Sequence, residues 1–274
     1  MRRAKVEIKK IIGRVAVNRE KTYIDPNLDA QMGELVARLA RAGMLTPVSE
    51  VNSEIGFFTV VKKVEENSGR VILRLVFDQR SPNRLWKDPP WTPLAGPGAF
   101  AALDLEGIKT DAEDPWLGIV TGGLPDCFFH WGISRQMSTW FAVPRVRLAD
   151  LEELLCSKED QPIFGRLMRE AGGDRSWRLG LKVLPMGWSW SVFLAQGGLQ
   201  DVLRGIRRSD GEPFFEVTNG LIEGAPPPAL RLGVPFHFEY IDDFGILVPM
   251  TDGSSGAGWT LLEDTLQTTS NALD

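Results

Sequence analysis

Phe236-His237-Phe238-Glu239-Tyr240-Ile241-Asp242-Asp243-Phe244-Gly245-Ile246-Leu247-Val248 joins an alternating run to a second, apolar run across two adjacent acids. The pattern predicts strands over Val234 to Tyr240 and Phe244 to Val248, joined by a tight turn. Carboxylates at a turn between buried strands are costly to desolvate unless a partner or a cation offsets the cost. The segment contains no Lys or Arg, so a divalent metal ion is the natural partner. Hard cations such as Mg²⁺ take carboxylate oxygens, and substrate phosphates commonly complete their shell. The plain alternative is an Asp-rich hairpin turn with no ligand, because Asp favours turns on its own account.

The rest of the chain narrows the choice. It has 274 residues, 43% hydrophobic and 24% charged, the balance of a soluble globular protein rather than a disordered one. It shows neither an apolar stretch of membrane-spanning length nor the apolar run of a secretory signal, so we expect a soluble intracellular protein, nuclear or cytoplasmic, with no membrane partner. Two cysteines and two histidines are too few for a disulfide framework or a Cys/His zinc site. The net charge of −5 is unevenly distributed. Residues 1 to 21 carry eight Lys/Arg against Glu7 and Glu20, and residues 62 to 87 carry seven against three acids. Residues 239 to 274 hold seven acids and no Lys or Arg. One part of the chain thus offers cations to phosphates and another offers carboxylates to a metal.

Leu28, Met32, Leu35, Val36 and Leu39, after the start signal Asp25-Pro26 and before Gly43, predict one amphipathic helix. Phe57 to Val61 and Val71 to Phe77, separated by the polar turn Glu65-Glu66-Asn67-Ser68-Gly69, predict a hairpin with a basic tip. Further strands are predicted at Trp116 to Thr121, Met137 to Val143 and Trp177 to Val183. Helices are predicted at Leu148 to Ser157, Ser189 to Arg207 and after Trp259. This order lacks the rhythm of βαβ units and indicates an α+β fold with a largely antiparallel sheet.

Tyr240-Ile241-Asp242-Asp243 resembles the YxDD signature of reverse transcriptases, in which the acids bind catalytic Mg²⁺. Other motifs follow in the family's order. Arg74-Leu75-Val76-Phe77-Asp78-Gln79-Arg80-Ser81-Pro82-Asn83 is similar to the fingers motif R-x3-D-x-R-x2-N, which implies a triphosphate contact for Arg74 and places Arg80 and Asn83 beside the template pocket. Lys62 and Lys63 sit where the family carries a triphosphate-binding Lys, and Lys63 is the candidate. Leu184-Pro185-Met186-Gly187-Trp188-Ser189-Trp190-Ser191, followed by Gln196, resembles the LPxG…S…Q motif. That likeness implies a nucleotide contact for Met186 and pocket positions for Gly187, Trp188 and Ser191, although Val192 stands where Pro is usual.

The resemblance implies a right-hand polymerase fold, with an antiparallel palm sheet backed by helices, a fingers subdomain and no thumb. On this reading residues 1–27 are a basic extension, 28–110 the fingers, 111–250 the palm with insertions near 148–175 and 208–233, and 251–274 a truncated end. The implied chemistry is RNA-templated DNA synthesis by two-metal phosphoryl transfer, with Mg²⁺ or Mn²⁺ as cofactor. The implied partners are an RNA/DNA template-primer and deoxynucleoside triphosphates.

One departure bears on activity. The family's first catalytic Asp opens a segment D-L-x-D-x-F/Y, whereas this chain reads Gly123-Leu124-Pro125-Asp126-Cys127-Phe128. Asp126 then matches the second acid, a nucleotide-pocket position, and Gly123 replaces the metal-bridging Asp. Phe128 matches the aromatic that excludes a ribose 2′-hydroxyl. Asp126 itself, or Asp104 at a strand-like position, are the two acids that could substitute. With Asp242 and Asp243 alone as catalytic metal ligands, the expectation is an inactive or weakly active reverse transcriptase of a retrotransposon-like element, because removing one member of a catalytic unit costs orders of magnitude. The alternatives are a non-catalytic nucleic-acid-binding remnant and an unrelated metal-dependent phosphotransferase or nuclease.

Overall fold

The computed structural model describes residues 24–29, 31–104, 108, 115–207, 211, 213, 220–251, 256, 260, 262–264 and 267–268. In chain order its elements are α1 (Pro26–Asp29), α2 (Met32–Arg41), β1 (Leu45–Val48), β2 (Gly56–Val64), β3 (Val71–Asp78), α3 (Arg80–Asn83), α4 (Pro97–Ala101) and β4 (Trp116–Gly123). They continue as α5 (Cys127–His130), α6 (Arg135–Ser138), β5 (Ala142–Arg147), a 3₁₀ turn at Leu148–Leu151, α7 (Gln161–Glu170), β6 (Arg178–Leu181), α8 (Ser189–Gly205), β7 (Phe236–Tyr240) and β8 (Asp243–Met250). All three sheets are antiparallel, so the fold is α+β. The chain forms two units: residues up to Asp88 with Phe128–Ser191, and Pro89–Cys127 with residues from Val192 onward. The basic N-terminal run and most of the helix expected after Trp259 lie outside the described residues.

In the first unit, α2 buries Met32, Val36 and Leu39 of the expected stripe together with Ala37 and Ala40, while Leu35 is half-buried. The expected single helix is divided, however: α1 ends at Asp29 and α2 starts at Met32. The strand expected over Met137 to Val143 begins only at Ala142. Before it, the Ser134 side chain accepts the Met137 N–H at 3.2 Å and caps α6, so local capping overrides β propensity there. The helix expected over Leu148 to Ser157 shortens to the 3₁₀ turn, whose Leu148 and Leu151 are both buried at the three-residue spacing such a turn eclipses. Helix α7, inside a stretch read as an insertion, was not anticipated. Sheet β1-β6-β5 backs these helices. Its neighbouring core includes Phe141 and Trp188, whose ring centroids lie 5.0 Å apart, edge to face.

β2 and β3 form a separate two-stranded ribbon. Its register is regular from Gly56↔Asp78 to Val61↔Leu73 and then slips by one residue, to Lys63↔Ile72 and Val64↔Val71. A one-residue slip exchanges faces. Phe57 and Phe77 at the buried base, and exposed Val61, Leu73, Val64 and Val71, therefore share one face, whereas Lys63 and Arg74 share the other. That second face also carries Phe58, Val60, Ile72 and Val76, so the two cations stand among apolar side chains.

In the second unit the sheet order is β4-β8-β7. One face buries Phe244, Ile246, Val248 and Met250 against Leu199, Leu203 and Ile206 of α8 and its end. The other buries Phe236 and Leu247 against Ala99 of α4 and Leu221. Both faces of β8 are thus covered, which explains why that strand reads as a continuous apolar run; β7 alternates in sequence, but its polar residues His237 and Glu239 are buried as well.

Candidate functional site

The acid pair sits on the β7–β8 turn. Tyr240 pairs directly with Asp243, leaving Ile241 and Asp242 as a two-residue loop. Ile241 has φ of 63°, a conformation that strains a β-branched residue by roughly 1–3 kcal/mol. Its neighbours hold it there. The Ile241 N–H donates to Gln196 Oε1 at 2.8 Å, and Gln196 Nε2 donates to the Glu239 carbonyl at 3.2 Å. On the other side the Leu124 N–H donates to the Asp242 carbonyl at 2.7 Å. The turn is clamped by a buried amide of α8 and by the backbone just past β4. Asp242 and Asp243 are both exposed at its apex.

β4 ends beside this turn. Its register runs antiparallel to β8 from Trp116↔Met250 to Gly123↔Asp243, so Gly122-Gly123 lies next to the acids, as the resemblance implies. A Cβ on Gly123 would stand 2.8 Å from Asp243 Oδ1, so a side chain at that position requires the flexible Asp243 carboxylate to turn aside and then projects next to it. Directly paired residues share a face. That face therefore carries two rows: Thr121, Gly245 and Phe238, then Gly123, Asp243 and Tyr240.

The two acids weighed as substitutes lie elsewhere. Asp104 follows α4 in a loop rather than a strand, and Asp126 occupies the turn before α5, exposed, with φ of 53°. Glu239, next to the acid pair in sequence, pairs with Phe244 and so faces away from Asp243. It is buried, with Oε1 2.7 Å from Nδ1 of the equally buried His237. Among the described residues no group of three or more His, Cys, Asp or Glu is placed to hold a metal ion. The donors present do not fit a pair of bridged cations, since the position facing Asp243 offers a hydrogen atom where a bridging carboxylate is needed.

The first unit brings the Arg74–Asn83 and Leu184–Ser191 stretches together. Asn83 Nδ2 donates to the Gly187 carbonyl at 2.9 Å, and the Ser189 N–H donates to Asn83 Oδ1 at 2.9 Å. Gly187 adopts φ of 91°, a turn conformation that glycine allows. Ser191 is buried and its hydroxyl donates to the Pro185 carbonyl at 2.6 Å. Trp188 is buried between Trp86 and Phe141, so it supports the loop from below, while Met186 is exposed on it. Arg80 grips Asp78 through Nε and Nη2, and this hydrogen bonding holds the Asp78 carboxyl below its usual range. Lys63 and Arg74 are exposed on one face of the ribbon, and Phe128 is half-buried on α5. Replacing Asn83 by Ala removes both hydrogen bonds to the motif loop and is expected to cost about 2 kcal/mol in chemical denaturation.

Gln196 is the functional side chain that sequence reasoning valued least. It was noted only as the last position of the LPxG…S…Q likeness, and its two turn contacts appear only when α8 is packed on β7. The structure thus defines an antiparallel α+β protein with an acid pair on a clamped, strained hairpin turn. No protein-family model matches the chain, and no curated protein matches it significantly.

Proposed function

We propose that the chain is a reverse-transcriptase-like fingers and palm domain that has lost polymerase turnover. The observation that carries this reading is the pairing of Gly123 with Asp243: a sheet of order β4-β8-β7 presents two acids on its hairpin turn and a glycine at the neighbouring strand end. The strained Ile241, held by Gln196 and by the backbone after β4, supports a turn shaped for a role rather than a passive connection. Asp242 and Asp243 remain as the ligands of a Mg²⁺ or Mn²⁺ ion on this reading, without the bridging carboxylate on which turnover depends. Primer extension on poly(rA)/oligo(dT) with either metal is expected to give no incorporation above background. Robust incorporation by the unmodified chain would overturn the proposal.

A second reading, nucleic-acid binding without turnover, is favoured by the placement of Lys63 and Arg74 on one face of the exposed ribbon. Binding through phosphates weakens linearly in log salt, by about 0.7 per phosphate neutralised on a single strand. Lys63→Ala and Arg74→Ala are each expected to weaken RNA binding uniformly across sequences and to lower the salt slope by about one contact in filter binding. Absence of binding at low salt would eliminate this reading.

A further inference from the structure

The two-row face of the β4-β8-β7 sheet contains a hollow. Of its six positions two are glycines, and the ring of Phe238 lies across Gly245, where a Cβ would collide with it. At Gly123 an added Cβ would meet Asp243 Oδ1 at 2.8 Å, so the Asp243 carboxylate itself leans over the glycine. Phe100, from α4, meets Phe238 edge to face with centroids 5.0 Å apart and planes at 77°, and forms a further wall. The resulting open cavity has a volume of about 530 Å³, within the range of small-ligand sites. Its lining includes Phe100, Phe238 and Tyr240, one carboxylate, Asp243, and no Lys or Arg.

Perpendicular aromatic rings beside a carboxylate form an arrangement that attracts a weakly hydrated organic cation, because ring faces carry negative electrostatic potential. Asp242, adjacent on the turn and exposed, adds a second negative charge. A phosphate-bearing ligand would meet repulsion here; a methylated ammonium would not. We propose that this cavity binds a trimethylammonium group, with the Asp243 carboxylate as counter-charge and Tyr240, Phe238 and Phe100 as its aromatic walls. Gly123 then acquires a positive role: lacking a side chain, it lets the Asp243 carboxylate lie over it and line the cavity. This inference goes beyond polymerase ancestry and is read by binding alone.

Isothermal titration of the full chain at low salt tests it, with choline, with a peptide bearing trimethyl-lysine, and with the uncharged tert-butyl isostere of choline. Choline or the peptide is expected to bind, and the isostere at least about tenfold more weakly, as cation–π recognition requires. Tighter binding of the peptide than of choline would identify a protein side chain as the source of the group, and the reverse a free metabolite. Tyr240→Ala, at an exposed position, is expected to weaken binding by about tenfold with an unchanged melting curve. Asp243→Asn, isosteric, should weaken it as well and serves if the first variant does not fold. Failure of both cations to bind at millimolar concentration, equal binding of the neutral isostere, or unaltered affinity in a folded variant would each overturn the proposal.

Discussion

Gly123→Asp is expected to tighten Mn²⁺ binding by at least about tenfold, measured by the loss of the free-ion signal in electron paramagnetic resonance. The direction follows from geometry: a Cβ at this position stands beside Asp243 Oδ1, so the new carboxylate joins Asp242 and Asp243 and supplies a further oxygen donor. The same substitution has an opposite effect without metal. A like charge directly across a strand pair is destabilising, and the variant should lose about 0.5–1 kcal/mol in metal-free buffer and recover it when Mn²⁺ is added. Asp243→Asn in the Gly123→Asp background should cancel both the gain in affinity and the charge repulsion. If the affinity of Gly123→Asp equals that of the unmodified chain, position 123 is not the missing ligand site, and the argument for lost turnover falls with it.

Gln196→Leu is expected to destabilise the protein by about 3 kcal/mol in a denaturant titration. The amide makes two bonds to the β7–β8 turn, accepting from the Ile241 N–H and donating to the Glu239 carbonyl. A leucine of similar volume keeps the packing but leaves both backbone groups without that partner, at about 1–3 kcal/mol each. Part of the cost is offset because Ile241 is then free to leave its left-handed conformation. The turn should accordingly become mobile, and amide exchange at Ile241 and Asp242 should accelerate beyond the average for the molecule. A variant as stable as the unmodified chain would show that Gln196 does not clamp the turn.

Some elements were legible because their signal is local. The β2–β3 hairpin, α8 and the β7–β8 hairpin follow from periodicity and turn chemistry within short windows, and each is present. Where the reading failed, a neighbouring residue changed a local preference: Ser134 capped α6 where a strand was expected, and Leu148 and Leu151 settled into a 3₁₀ turn instead of a longer helix. The bulge between Val61 and Lys63 was also invisible, although it sets the register that pairs Lys63 with Ile72 and so puts Lys63 on the face of Arg74.

The amino-acid sequence by itself determined that two acids stand on a hairpin turn, that residues 122 and 123 are glycines, and that basic and acidic groups are segregated along the chain. Only the tertiary structure decided that Gly123 faces Asp243, that Glu239 faces away from it, and that a hollow opens between them and Phe100. The reason is physical. Periodicity records which side of its own strand a residue occupies, whereas the partner across a sheet is chosen by burial and register between segments about a hundred residues apart, and no local pattern carries that choice.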